Sequence, residues 1–237
     1  MFVPIHDDNP LRRIPRPYVT WGLIALNCVI FVLQSSPAGE HVAASFAIIP
    51  VELFRVGVLG GAAMGPHDAW AVPERYTLVS YMFLHGDLAH LAGNMAFLWV
   101  FGDNVEDDLG HLRFALFYIV CGIVGGLAHA ALLPGSNLPL IGASGAVAGV
   151  IMAYLILYPQ VRVWVLAFRA IPLRITALFA LGAWVASQFA MLAIPYVVPG
   201  AKIGPISWWA HIGGIVAGAV LILTMGRARS DVDGRRG

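Results

Sequence analysis

The strongest constraint on the fold of this chain is a series of six long apolar runs. An apolar run of about 20 residues crosses the ~30 Å hydrocarbon core of a bilayer as a helix. The composition agrees, because 59% of the 237 residues are hydrophobic and 11% are charged, against about 25% charged in soluble domains. The mean hydropathy is +0.79. The sequence therefore predicts an all-α membrane protein, with the lipid bilayer as its solvent.

Polar and turn residues end each run and give the bounds of six predicted spans. The spans are 18–35, 88–102, 112–133, 141–158, 171–194 and 206–225, of which the second and fourth are short. Residues 1–17 hold several charged side chains and no apolar core of a signal peptide, so we expect the first span to be an anchor. The chain divides into an amino-terminal segment (1–17), one six-helix membrane domain (18–225) and a tail (226–237).

The distribution of Lys and Arg predicts which side each loop faces, because cytoplasmic loops hold an excess of these residues. Of the 14, only Arg55, Arg75 and Lys202 lie in the loops after spans one, three and five. We therefore expect both termini to be cytoplasmic, so that spans two, four and six begin near the outer face. The long loop 37–75 is too polar to span and is predicted to lie partly in the interface.

Three of the spans begin with polar residues, which are costly in a bilayer and need a structural or functional reason. Span two opens with His90 and Asn94, one helical turn apart on one face. Span four opens with Gly-Ala-Ser144-Gly, and span six opens with Ala-His211 followed by a G-x-x-x-G. The predicted topology puts these three ends at one level, and the glycines let the helices approach closely. A histidine beside a serine hydroxyl can activate it as a nucleophile.

Each motif has a simpler reading when it is taken alone. Small residues with one serine are common wherever membrane helices pack, and a lone histidine in a membrane helix often binds a backbone carbonyl. His90 and Asn94 would serve equally as a clamp between helices. These simpler readings do not explain why all three motifs lie at one depth in the membrane.

Other residues are predicted to be structural. We rank His85 and His129 below the motif residues, and we expect His129 to pack, to bind water or to line the cavity. We expect the acidic cluster after span two to be a solvated helix end. Its members are Asp103, Glu106, Asp107 and Asp108. His90 and His211 have no nearby carboxylate or thiolate in these motifs, so we expect no metal and no cofactor. The formal charge of +1 gives no basic field for a nucleic-acid partner.

In the order and spacing of the three motifs, the sequence resembles the rhomboid family of intramembrane serine proteases from span one to span six. The family's His-x-x-x-Asn is similar to residues 90–94, and its Gly-x-Ser-Gly is similar to residues 142–145. Its Ala-His-x-x-Gly-x-x-x-Gly is similar to residues 210–218. The resemblance implies a six-helix rhomboid-like bundle and a serine endopeptidase.

The resemblance also implies roles for individual residues. Ser144 would be the nucleophile, His211 the general base and then acid, and His90 and Asn94 donors to the oxyanion, which makes a Ser-His dyad. Well-known bacterial members have an aromatic residue four positions after the serine, stacked on the histidine, where this chain has Ala148. Another group must then hold His211. The candidates are Trp208, Trp209 and Tyr154.

The resemblance implies that the chain cleaves single-span membrane proteins near the outer face of a membrane, with a prokaryotic plasma (inner) membrane as the expectation. The Pro- and Gly-rich loop 195–205 suits a cap over a water-filled cavity. Two alternatives come from other classes. A proteolytically inactive relative that binds membrane clients fits the same fold. A small transporter or channel fits six spans, although no pair of broken helices in matching halves is visible. The oligomeric state is left open.

Overall fold

The computed structural model describes residues 2–36, 39–56, 60–61, 69–167, 171–198 and 207–233. These residues form three strands and nine α-helices. In chain order they are β1 (Phe2–Asp7), α1 (Tyr18–Gln34), α2 (Gly39–Phe46), α3 (Pro50–Val56), α4 (Glu74–Ser80), α5 (Leu88–Leu109), α6 (His111–Leu132), α7 (Ser144–Leu157), β2 (Arg162–Ala167), β3 (Ile171–Thr176), α8 (Ala177–Val197) and α9 (Trp208–Asp233). A 3-10 turn at Tyr81–Phe83 continues α4.

Six of these helices, α1 and α5 to α9, overlap the six apolar runs. By length and composition, three of the described helices can cross a membrane: His111–Leu132, Ala177–Ile194 and Trp208–Met225. The apolar helices α1 and α7 are shorter. The fold is therefore mainly helical, as the sequence predicts. Most of the predicted cap, including Lys202, lies outside the described residues.

Helix α5 begins and ends at residues whose chemistry fixes its bounds. Asp87 caps the amino end, since its carboxylate accepts a hydrogen bond of 2.8 Å from the backbone N–H of His90. Gly110 has a φ of 76°, a conformation that glycine adopts without strain, so α5 stops there and α6 starts at the next residue. The helix reaches beyond the short span that the sequence predicted.

Glu106 and Asp107, in the acidic end of α5, are buried, so the prediction of a solvated helix end is wrong for these two residues. Glu106 is 0% exposed and accepts hydrogen bonds from the backbone N–H groups of Val19 (3.0 Å) and Thr20 (2.8 Å). These donors lie in the first turn of α1, where helix N–H groups lack partners within their own helix. Asp107 accepts from the backbone N–H groups of residues 12–14 at 2.7 to 3.0 Å. The carboxylates therefore join the amino-terminal segment to the bundle.

A small antiparallel sheet corrects the all-α prediction. Its strand order is β1-β2-β3, and residues 171–176, predicted as the start of span five, form β3. Strand β2 alternates exposed Arg162 and Trp164 with buried Val163 and Val165, the two-residue period of a strand with one covered face. The correction arises because β3 pairs with β2 along its whole length, which an apolar run read by itself does not reveal.

Glycines bring α7 and α9 into backbone contact. A Cβ on Gly214 would lie 1.9 Å from the carbonyl oxygen of Gly145, and one on Gly218 would lie 2.5 Å from the carbonyl oxygen of Gly149. No larger residue fits at these separations, so the small-residue pattern of both helices is required by their packing. This contact brings the start of α7 beside the first turns of α9.

Candidate active site

Ser144 and His211 are in hydrogen-bonding contact. Ser144 is the first residue of α7, and His211 lies in the first turn of α9. The Nε2 atom of His211 is 2.8 Å from the Oγ atom of Ser144, within the range of a nucleophile and its base. His211 is only 8% exposed, and Ser144 is half-buried. The contact therefore joins a shielded imidazole to a hydroxyl that is still partly accessible.

His90 and Asn94 lie beside the loop that leads to Ser144. A Cβ on Gly142 would lie 2.7 Å from Cε1 and 2.8 Å from Nε2 of His90, and 3.8 Å from Nδ2 of Asn94. Gly142 also has a φ of 120°, which L-residues with a side chain rarely adopt. The structure thus gathers all four predicted site residues around one loop, and that loop needs glycine for both conformation and space.

His85, which the sequence ranked below the motif residues, supports Asn94 through a hydrogen bond. The Asn94 Nδ2 donates to the Nε2 atom of His85 at 3.0 Å, and the rings of His85 and His90 lie 5.1 Å apart. Burial, with His90 nearby, lowers the pKa of His85 to about 4, so its imidazole is neutral and can accept. Its backbone N–H donates to the Gln34 side chain at 3.1 Å. Packing therefore accounts for only part of the role of His85.

His129 is the histidine that the sequence assigned to packing, to water binding or to the lining of the cavity. It lies near the end of α6, is 8% exposed, and its Nδ1 atom has no hydrogen-bond partner among the described residues. The choice among these roles stays a prediction.

Two residues of α8, Trp184 and Gln188, contact His211. Neither was predicted from the sequence as a site residue. The Oε1 atom of Gln188 is 2.8 Å from Nδ1 of His211, and the Trp184 ring lies 5.9 Å from the imidazole at an angle of 36°. Gln188 is a polar side chain within a predicted span. The criterion that singled out His211, the cost of such a group in a bilayer, would also have found Gln188.

Of the candidates for holding His211, Trp208 contacts the imidazole, whereas Tyr154 lies near the sheet at the opposite end of the bundle. The Trp208 ring contacts the imidazole edge-on at 6.0 Å. Tyr154 does not take this role, because its hydroxyl donates to the Asp7 carboxylate at 2.5 Å, beside the sheet. A role for Trp209 stays a prediction.

The arrangement provides a base and a hydroxyl but no group of metal ligands. Within the described ranges, no three His, Cys, Asp or Glu side chains are grouped so that they could hold a metal ion. The chemistry open to these residues is proton transfer between His211 and Ser144, with further donors nearby.

An apolar helical bundle with a serine and a histidine paired inside it is the architecture of a membrane-embedded protein with a buried polar site. Comparison with known proteins identifies the family. The model of the Rhomboid domain matches residues 72–228, and the chain belongs to the rhomboid family. The resemblance seen in the three motifs is thereby confirmed.

Relatives occur in bacteria, fungi and plants. The chain is 29% identical to Rhomboid protease GluP of Bacillus subtilis over 69% of its own length and 28% of that protein. It is 29% identical to RHOMBOID-like protein 6, mitochondrial, of Arabidopsis thaliana, over 62% of the chain and 43% of that protein. It is 27% identical to Rhomboid protein 1, mitochondrial, of Saccharomyces cerevisiae, over 63% of the chain and 41% of that protein. In each case the matched part is less than half of the relative.

Proposed function

We propose that this chain is an intramembrane serine endopeptidase that cleaves other membrane proteins with Ser144 as nucleophile and His211 as general base. The observation that carries the proposal is the 2.8 Å contact between His211 Nε2 and Ser144 Oγ. Membership of the rhomboid family, which contains a relative named a protease, supports the same activity.

The first chemical step forms an acyl-enzyme. His211 Nε2 takes the proton of the Ser144 hydroxyl as Oγ attacks the carbonyl carbon of the scissile peptide bond. The tetrahedral intermediate then collapses, the carbon–nitrogen bond breaks, and the imidazolium of His211 gives its proton to the leaving amine. The acyl group is left as an ester on Ser144, and His211 is neutral again.

The intermediate carries its negative charge on the former carbonyl oxygen, so donors aimed at that position accelerate the step. His90 and Asn94 face the loop at Gly142, two residues before the nucleophile. The backbone N–H of Ser144 lies at the amino end of α7, where the first N–H groups have no partner within the helix. We assign these three groups as the oxyanion donors.

Water completes the reaction. His211 accepts a proton from a water molecule, the hydroxyl attacks the ester carbonyl, and the ester bond to Oγ breaks as Ser144 regains its proton. Ser144 is half-buried rather than fully buried, which supports access to the bond that must be hydrolysed.

We also propose the membrane arrangement that this chemistry requires. The six apolar helices form one domain over residues 18–225, with segments 1–17 and 226–237 in the cytoplasm and Ser144 near the outer face. The substrates are single-span membrane proteins, and the compartment is a prokaryotic plasma membrane. The excess of Lys and Arg on one side supports this orientation.

The alternative is a proteolytically inactive relative that binds membrane clients. Such a protein has no need of a serine paired with a base. The presence of both residues in contact favours the protease.

The test is labelling of the purified chain in detergent by a fluorophosphonate, with cleavage of a single-span substrate measured in parallel. We expect wild type to be labelled and active, and Ser144→Ala to lose both, since removal of the nucleophile costs about 10⁶-fold in other serine proteases. Ser136→Ala, in the loop before α7, is the matched control and retains both. Cleavage by Ser144→Ala would overturn the assignment, and an unlabelled, inactive wild type would favour the client-binding alternative.

A further inference from the structure

A polar side chain, that of Gln188, contacts the side of His211 that faces away from Ser144. Gln188 lies on α8, 23 residues before His211, and is 3% exposed. Its Oε1 atom is 2.8 Å from Nδ1 of the imidazole. The imidazole thus has both ring nitrogens engaged, one by the serine and one by the amide.

The amide of Gln188 can be oriented in only one sense. Its Nε2 group lies 3.0 Å from the backbone carbonyl oxygen of Trp184, which can only accept a hydrogen bond. Turning the amide over would set two oxygens against each other at this distance. The carbonyl of Trp184 therefore fixes Nε2 on its own side and Oε1 on the side of His211.

This orientation determines the tautomer of His211. Since Oε1 can only accept, the proton of the neutral imidazole must lie on Nδ1. The Nε2 atom is then a bare acceptor that faces the Ser144 hydroxyl, the form required of a general base. The backbone carbonyl of Trp184 orients the Gln188 amide, and the amide in turn determines which nitrogen of His211 carries the proton.

From this arrangement we infer that Gln188 is a positioning residue, which holds His211 in the Nδ1-protonated tautomer and completes a Ser144–His211–Gln188 triad. In other serine and cysteine hydrolases a carboxylate or an amide holds the histidine in the same way. Here the amide suits its surroundings, since a neutral group costs less than a carboxylate inside a bilayer. The effect of Gln188 on catalysis rests on the proposed function. The tautomer of His211 does not depend on it.

The tautomer is measured directly by nitrogen NMR of the full chain in detergent with labelled histidine, His211 being assigned by its absence from His211→Gln. We expect wild type to show the proton on Nδ1. We expect Gln188→Met, which keeps the length of the side chain but removes its amide, to show a mixture of tautomers. A proton on Nε2 in wild type, or an unchanged tautomer in Gln188→Met, overturns the inference.

The kinetic arm uses the rate of fluorophosphonate labelling and the kcat and KM of cleavage. General-base catalysis contributes about 10²–10⁴-fold, so we expect Gln188→Met to lower kcat and the labelling rate by at least about 10-fold with little change in KM or unfolding temperature. Gln188→Glu keeps an acceptor oxygen at the same reach and should retain more of the labelling rate. Phe179→Leu, at an exposed position of the same helix, is the control and keeps the wild-type rate.

The outcomes separate the two proposals. Equal labelling rates in Gln188→Met and wild type, or a faster rate in Gln188→Met than in Gln188→Glu, overturn the positioning role. A wild type that is neither labelled nor active refutes the proposed function instead, and the NMR result still decides whether Gln188 fixes the tautomer.

Discussion

At the residue scale, the site depends on a glycine, Gly142, as much as on its polar side chains. Gly142 has a positive φ and its backbone faces both His90 and Asn94, so the loop before Ser144 passes close to both candidate oxyanion donors. Asn94 is itself held by its hydrogen bond to His85. Asn94 is thus positioned by a neighbour, which is how a site keeps its geometry without rearranging during the reaction.

Asn94→Ala is expected to reduce turnover without abolishing it. Removal of one oxyanion donor typically costs about 10²–10³ in rate, and His90 with the Ser144 N–H would remain. The measurement is kcat together with the unfolding temperature on one preparation. Asn104→Ala is the matched control, since it removes a buried amide from the same helix away from the site. If Asn94 only clamps helices, both variants lose stability alike and keep normal turnover per folded molecule.

At the element scale, the distance between α7 and α9 sets whether Ser144 and His211 meet. The two helices are in backbone contact at Gly145 with Gly214 and at Gly149 with Gly218. At the far end of α7, Tyr154 bonds Asp7 of β1, so the helix is held at both ends.

Gly214→Ala should therefore destabilise the bundle and impair the site together. The added Cβ would lie 1.9 Å from the Gly145 carbonyl oxygen, and overpacking of this kind costs about 1–3 kcal/mol. Gly22→Ala is the control, because a Cβ at Gly22 in α1 meets nothing within 4 Å. We expect a lower unfolding temperature and slower fluorophosphonate labelling for Gly214→Ala alone. Equal behaviour of the two variants would contradict the packing account.

The anchor between β1 and α7 is expected to respond to pH. Burial raises the pKa of Asp7 to about 6, from about 4 in an unfolded chain, so the folded state holds this proton more tightly. The contribution of Asp7 to the free energy of unfolding is therefore largest below about pH 4 and falls as pH rises to about 6. Asp7→Asn keeps an acceptor for Tyr154 but does not titrate.

Thermal unfolding of wild type and Asp7→Asn between pH 4 and pH 7 tests this. Relative to Asp7→Asn, the wild-type protein should lose stability as the pH rises. A difference between the two proteins that is independent of pH would show that the Asp7 carboxyl does not titrate differently in the folded state.

At the scale of the whole molecule, the bundle has two chemically different ends. One end holds the sheet, the buried carboxylates of α5 and the amino-terminal segment, and the other holds Ser144 and the loop between α6 and α7. We propose that the first end is cytoplasmic, on the evidence of the Lys and Arg excess.

Single cysteines test this orientation in intact bacterial cells treated with a membrane-impermeant maleimide, in a Cys28→Ala background that leaves only the buried Cys121. Asn137→Cys, between α6 and α7, should be labelled from outside, and Arg16→Cys, before α1, only after the cells are lysed. Both positions are exposed to solvent in the bundle. The opposite pattern would invert the topology and place Ser144 on the cytoplasmic side.

The sequence by itself determined the six apolar helices, the family and four residues of the candidate site. Apolar runs long enough for a bilayer can satisfy their backbone only as helices, so α1 and α5 to α9 follow from local composition. The polar residues His90, Asn94, Ser144 and His211 stand out in these runs for the same reason, because each costs free energy unless it has a purpose.

Only the tertiary structure decided which groups pair across the chain. The link from Trp184 through Gln188 to His211, the burial of Glu106 against the start of α1, and the pairing of β3 with β2 each join segments separated in sequence. A local pattern records that a group is polar or that a segment is apolar. It does not record the partner, which depends on helix positions set by glycine contacts between α7 and α9.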